Sequence, residues 1–139
     1  MKAPRIASSA TIPLFTDVGA LIKGRLQQAL PLPFSQCQTL WFIARQGRPN
    51  MQDVAKHFKI TAPSATFLAD ELVRSGLVVR EASTKDRRKV EVALTPKGKR
   101  ECKVLMRKRT QVLSSIFDSL NNADRAELNR ILKKILLAV

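Results

Sequence analysis

Two segments of this 139-residue chain alternate as strands do, and they lie next to each other. LVVREAS (77–83) and KVEVALT (89–95) flank a polar tip at Thr84–Arg88, which predicts a single β-hairpin. A lone hairpin cannot bury its own apolar face, so it must lean on helices supplied by the rest of the chain. The tip is charged: Lys85, Arg87, Arg88 and Lys89 surround Asp86. Val90, Val92 and Leu94 fall on one face of the second strand. Thr95 and Pro96 then provide an N-cap and a first helical residue, so the hairpin runs directly into a helix.

The remainder is helical in pattern. Phe15, Val18, Ile22 and Leu26 recur at three- and four-residue steps and predict a helix over 14–30, which PLPF (31–34) breaks. Ser35 with Gln38 reads as a capping box for a helix through Leu40, Trp41 and Ile43 that ends before Gly47. Asn50 caps a short helix, MQDVAKHF, with Asp53 in its first turn. APSATFLADELVRSG (62–76) carries Pro63 in its first turn, Gly76 at its end, and Ala65, Leu68 and Leu72 on its inner face. Two short helices joined by a tight turn make a helix-turn-helix candidate. A long helix follows Pro96, with Cys102, Leu105, Met106, Val112, Leu113, Ile116 and Phe117 on one face. NNAD interrupts it, and a last helix repeats the pattern at Leu128, Ile131, Leu132, Ile135 and Leu136.

The length suits one domain (1–139) with a core of its own. Within it, 35–95 form the helix-turn-helix and hairpin, while 12–30 and 96–139 form a helical region. The apolar faces of that region bracket the central unit from both ends of the chain. Packing against a second copy would bury them, which predicts a homodimer. Charge is the compositional outlier: 25 Lys and Arg against 11 Asp and Glu leave +14. Such an excess points to a polyanionic partner, nucleic acid before a membrane surface. The N-terminal MKAPRIASSATIPLF has no leader-like apolar core, and no run reaches the ~18 apolar residues of a bilayer span. A cytoplasmic protein without membrane contact is expected.

The helix-turn-helix, GLVVRE and DRRKVEVALTPKG together resemble the MarR family of winged-helix transcriptional regulators, over about residues 14–138. The matching positions are Asp86 and Arg88, then Leu94, Thr95 and Gly98, with DELVRSGLVVR (70–80) also close to the family pattern. The resemblance implies a mainly α fold with a small β-hairpin wing, a winged helix-turn-helix flanked by N- and C-terminal dimerisation helices. It implies a homodimer on double-stranded DNA, at a palindromic operator, with one helix in the major groove and wing tips in the minor grooves. It implies a repressor released by a small-molecule effector.

On that reading Arg88 enters the minor groove, where narrowed A·T tracts concentrate negative potential. Asp86 holds its guanidinium, and Lys85, Arg87 and Lys89 touch phosphates. The alternative is an ordinary solvated turn pair. Pro63, Ser64, Ala65, Thr66 and Phe67 form the DNA-facing end of the second helix. The hydroxyls could equally be plain caps, and Ala65 reads as inward-facing. Phe67 departs from the family pattern, which often has a base there. It meets a thymine methyl or packs on the wing, the second reading being preferred.

Phe15, Trp41 and Phe42 are weak candidates for an effector cavity, since aromatics at helical spacing are more often core. Cys37 and Cys102 read as reduced, buried thiols, with Cys102 the less inert beside Lys99, Arg100 and Lys103. His57 is the only histidine, so no zinc site is expected, and neither is any cofactor. No nucleophile or phosphate-loop motif appears, so an enzyme is not expected. The competing function is a nucleoid-type protein that binds nucleic acid without sequence choice.

Overall fold

The computed structural model describes residues 10–139; the first nine, on which part of the no-leader reading rests, lie outside that range. The elements are α1 (Thr11–Ala29), α2 (Phe34–Gln46), α3 (Met51–Phe58), α4 (Ala62–Arg74), β1 (Val78–Ala82), β2 (Val90–Leu94), α5 (Pro96–Ile116) and α6 (Asn122–Leu137). The order and the single antiparallel hairpin are those expected from the periodicity. The chain divides into two compact units, one of residues 26–109 and one of the α1 residues up to Arg25 with Thr110–Val139.

In the central unit, Leu40, Ile43, Val54, Leu72, Val78, Val92 and Leu105 are fully buried. They come from α2, α3, α4, both strands and α5, so one core ties the hairpin to the helices. Each such side chain contributes roughly 1.5–3 kcal/mol of burial. On α4 the inner face is Ala65, Ala69 and Leu72, while Leu68 is only half-buried. The small alanines let α4 approach its neighbours closely.

Helix starts follow local chemistry, with one correction. The expected Ser35–Gln38 capping box does not form. Pro33 precedes the helix directly, and its carbonyl already accepts from the amides of Gln36 (3.0 Å) and Cys37 (3.1 Å). Ser35 therefore falls inside the first turn, where its carbonyl accepts from Thr39 Oγ1 at 2.8 Å. At α3 the box is real: Asn50 Oδ1 accepts from the Asp53 amide (2.9 Å), and Asp53 Oδ2 accepts from the Asn50 amide (3.0 Å). Asn121 and Asp124 repeat it at α6, at 2.9 and 3.2 Å.

The hairpin pairs Val78 with Leu94, Arg80 with Val92, Glu81 with Glu91 and Ala82 with Val90. Burial along the expected face of β2 falls towards the tip: Val92 is fully buried, and Val90 is 44% exposed. The far edge of β2 is also engaged. Asn50 bridges to Glu91, and the Val92 amide donates to the Pro49 carbonyl at 2.9 Å. The connector between α2 and α3 thus holds the outer edge of β2.

In the other unit α6 has no buried residue. Arg125 closes the α5–α6 corner, donating to the carbonyls of Leu120 and Phe117, each at 3.1 Å. Ile135 and Leu136 of α6, and Leu14, Phe15 and Val18 of α1, remain exposed.

Candidate nucleic-acid interface

The hairpin tip is built on a buried serine that the sequence reading passed over. Ser83 is 6% exposed, and its Oγ accepts from the amides of Lys85 (3.2 Å) and Asp86 (3.3 Å). Its own amide donates to the Lys89 carbonyl at 2.9 Å, which closes the loop. Asp86 supplies the rest. Its Oδ1 accepts from the Arg88 amide (3.0 Å), and its carbonyl accepts from the Lys89 amide (3.0 Å). This corrects the expectation that Asp86 grips the Arg88 guanidinium. At a separation of two residues in a tight turn, the carboxylate reaches the backbone more easily than the side-chain end. The side chains of Lys85, Arg87, Arg88 and Lys89 are exposed, and none joins an ion pair among the described residues.

Glu81 and Glu91 face each other across the strands, a like-charge pairing that costs stability. Arg48, from the α2–α3 connector, resolves it. Its Nε donates to Glu91 Oε2 at 3.0 Å, and its Nη2 donates to Glu81 Oε2. The Arg48 hydrogen bond is the main cause that holds the Glu91 carboxyl below the usual range, and Ser83 adds a second.

On α4, Pro63, Ser64 and Thr66 are exposed at the N-terminal end. Ser64 is also part of the cap: Thr61 Oγ1 accepts its amide (3.3 Å) and donates to its hydroxyl oxygen (3.0 Å). Ala65 is fully buried and leaves the set of surface candidates, because it fills the tight contact within the core. Phe67 is 61% exposed on the same helix. Arg80 of β1 reaches back to this helix. Its Nη2 lies 2.8 Å from Asp70 Oδ1 and donates to the Thr66 carbonyl at 3.2 Å. The helix and the hairpin are therefore coupled by a charged hydrogen bond as well as by the core.

The joint to α5 is equally defined. Thr95 Oγ1 donates to the Gly76 carbonyl (2.6 Å) and accepts from the Gly98 amide (2.9 Å). Lys97 Nζ donates to the Ser75 carbonyl at 3.0 Å. A Cβ on Gly98 would meet the Leu77 carbonyl oxygen at 1.9 Å, so only glycine fits. The signal in the sequence is a glycine in the first turn of a helix, which costs about 1 kcal/mol against alanine unless space requires it.

Residues 30–89, α2 through the tip, match the model of the MarR family. The whole described fold agrees: wild-type MarR from E. coli superposes with a TM-score of 0.83 at 24% identity, covering 91% of this chain and 96% of that one. Over that segment the chain is similar to the MarR family. BpsR from Bordetella bronchiseptica, whose DNA binding is regulated by 6-hydroxynicotinic acid, is 26% identical with a TM-score of 0.74, covering 96% of this chain and 97% of that one. The transcriptional repressor YetL of Bacillus subtilis is 28% identical over 62% of this chain and 52% of its own length. The repressor MdtR of the same organism is 22% identical over 73% of this chain and 65% of its own length. The matches thus span between about half and two thirds of these curated relatives.

The aromatic ligand candidates Phe42 and Trp41 have separate ring partners. Phe42 is buried against α3, stacked on His57 at 4.1 Å and edge-on to Phe58 at 5.7 Å. Trp41 packs edge-on to Phe34, with the Arg109 guanidinium 5.1 Å above its ring. Phe15 is 75% exposed on α1. None of them lines the groove that the structure does contain beside α5. Both thiols are buried, and burial pushes Cys37 up to about 11 and raises Cys102. The basic neighbours of Cys102 in sequence do not offset its desolvation. No group of metal-ligating side chains occurs among the described residues, and no helix there is long and apolar enough to cross a membrane.

Proposed function

We propose that this protein is a dimeric, sequence-specific DNA-binding transcriptional regulator, a repressor released by a small-molecule effector. One observation carries the reading. Four cations with no ion pair among the described residues stand on a tip whose backbone is fixed by Ser83 and Asp86, and that tip is tied to the exposed end of α4 through Arg80. Fixed positive charge beside an exposed helix end is what a duplex needs, because phosphate contacts set the register and base edges supply the choice. Pro63, Ser64 and Thr66 present the helix end, with Phe67 available to a thymine methyl. Arg88 enters the minor groove, and Lys85, Arg87 and Lys89 meet phosphates.

The exposed apolar faces of α1 and α6 support a homodimer, and a two-fold dimer reads a palindrome. Relatives named as repressors, and a neighbour whose DNA binding a small organic acid regulates, support the repressor and effector parts. A DNA-bound regulator of this kind works in the cytoplasm and catalyses nothing.

The test is selection of bound duplexes from a random pool. A recovered palindrome is expected. Recovery of no shared sequence from a protein that binds every duplex alike would favour the nucleoid-type alternative.

A further inference from the structure

The tip that carries Arg88 has little packing to hold it. Lys85 to Lys89 are all exposed, and Val90 beneath them is 44% exposed. A cleft of about 210 Å³, lined by Asn50, Met51, Gln52, Arg88, Lys89 and Val90, lies between the tip and the first turn of α3. Hydrogen bonds must therefore set the place of the tip, and they form a continuous chain. Arg48 Nε donates to Glu91 Oε2 at 3.0 Å, while its Nη2 donates to Glu81. The Ser83 hydroxyl donates to the same Glu91 carboxylate. Ser83 Oγ in turn accepts from the Lys85 and Asp86 amides, and Asp86 Oδ1 accepts from the Arg88 amide. Every step lies within the central unit.

We propose that Arg48 is a positioning residue for DNA binding: it orders the tip through Glu91 and Ser83, with no phosphate contact of its own. Its guanidinium is what the place requires. Glu81 and Glu91 are cross-strand partners, and two carboxylates so placed repel each other. Arg48 reaches both with separate nitrogens held in one plane, which a lysine ammonium cannot do. Without Arg48, the Glu91 side chain, only 15% exposed, keeps a single side-chain donor in Ser83 and is repelled by Glu81. A serine hydroxyl has one proton, so when that carboxylate turns to water the hydroxyl turns too, and its oxygen leaves the two amides. Bonds linked in this way strengthen one another, so loss at one end is felt at the other. The chain also starts from a fixed point. Pro49 accepts the Val92 amide at 2.9 Å, and Asn50 caps α3, so the tip is referred to the helix-turn-helix through three consecutive residues. The role in DNA binding rests on the regulator reading above; the ordering of the tip does not.

The experiment has two arms. In the first, hydrogen exchange of the Lys85, Asp86 and Arg88 amides is followed by NMR in the full chain without DNA. Arg48→Ala and Ser83→Ala should each speed it by roughly fivefold. Arg48→Lys, which keeps the charge but not the fork, should give a smaller rise. Arg130→Ala, which removes the same charge from an ion pair on α6, should leave the tip unchanged. In the second arm, affinity for the selected duplex is measured over a range of salt. Arg48→Ala should weaken binding by roughly tenfold in the parent and by less than about twofold in Arg88→Ala, because a residue that acts through Arg88 then has nothing to place. The slope of log affinity against log salt should match the parent, since no phosphate contact is lost. Unchanged tip exchange in Arg48→Ala overturns the proposal. So does undiminished affinity, an equal loss in both backgrounds, or a slope reduced by about one, which would make Arg48 a direct phosphate contact. A parent protein that ignores every duplex refutes the regulator reading, while the exchange arm still decides whether Arg48 orders the tip.

Discussion

Gly98 packs against Leu77 so closely that a single added carbon would stand 1.9 Å from the Leu77 carbonyl oxygen. That carbonyl is already engaged, accepting from the Thr95 amide at 3.0 Å. The base of the hairpin and the start of α5 are thus interlocked through backbone, which neither side can yield cheaply. Gly98→Ala should therefore destabilise the fold by roughly 3 kcal/mol, at the upper end for overpacking, although alanine is the better helix former. Thermal unfolding checks it. A variant as stable as the parent would show that the joint relaxes freely.

The tip predicts a separation between two substitutions of Asp86. Its Oδ1 accepts the Arg88 amide, and asparagine keeps that acceptor while alanine does not. Asp86→Asn should bind DNA at least as tightly as the parent, since it also removes a negative charge from a phosphate-facing loop. Asp86→Ala should bind more weakly, and Arg88→Ala should lose about 1–3 kcal/mol with the fold unchanged. Fluorescence anisotropy on a selected duplex reads all three. Equal loss in both Asp86 variants would show that charge, not the turn, is what Asp86 supplies.

Glu91 gives a pH marker for the clamp. Arg48 holds its carboxyl below the ordinary range. A depressed carboxyl in the folded state contributes stability that is present above its unfolded pKa and is lost as pH falls through the folded one. The clamp should therefore persist through mildly acidic solution and open only below the usual carboxylate range. An NMR titration of Glu91 should show that low midpoint, and Arg48→Ala should bring it back up. An unchanged midpoint in the variant would remove Arg48 as the cause.

The thiols should not switch this protein. With Cys37 pushed up to about 11 and Cys102 raised by burial, almost no thiolate is present at neutral pH, and thiolate is the reactive form. Replacing both with serine should leave peroxide without any effect on DNA binding, as in the parent. Peroxide-driven release in the parent that disappears in the variant would contradict this.

The parts of the fold that could be read from the sequence are those fixed by short-range chemistry. Asn50 with Asp53, Thr95 with Pro96, and the alternation of Val90, Val92 and Leu94 each act within a few residues. The capping box at Ser35 failed because Pro33 set the start of the helix two residues earlier. What escaped depends on residues distant in sequence. Arg48 lies 33 and 43 positions from the glutamates it joins, and no local pattern announces that pairing. Ser83 looks like any loop serine until the hairpin folds over it. The tip charges were evident, but the role of Asp86 was misplaced, because its carboxylate has both a backbone and a side-chain target within reach. Phe42 looked available for a ligand because nothing in the sequence shows that His57 will stack on it.

The most direct measurement is the affinity of the purified protein for its selected duplex and for a scrambled duplex of the same composition, at physiological salt. The account predicts at least ~10³-fold tighter binding to the selected site. It also predicts a steep salt dependence, with a log–log slope near −7 if the proposed dimer neutralises about eight phosphates. Equal affinity for the two duplexes would leave a basic protein that holds DNA without reading it, and would contradict the account at its centre.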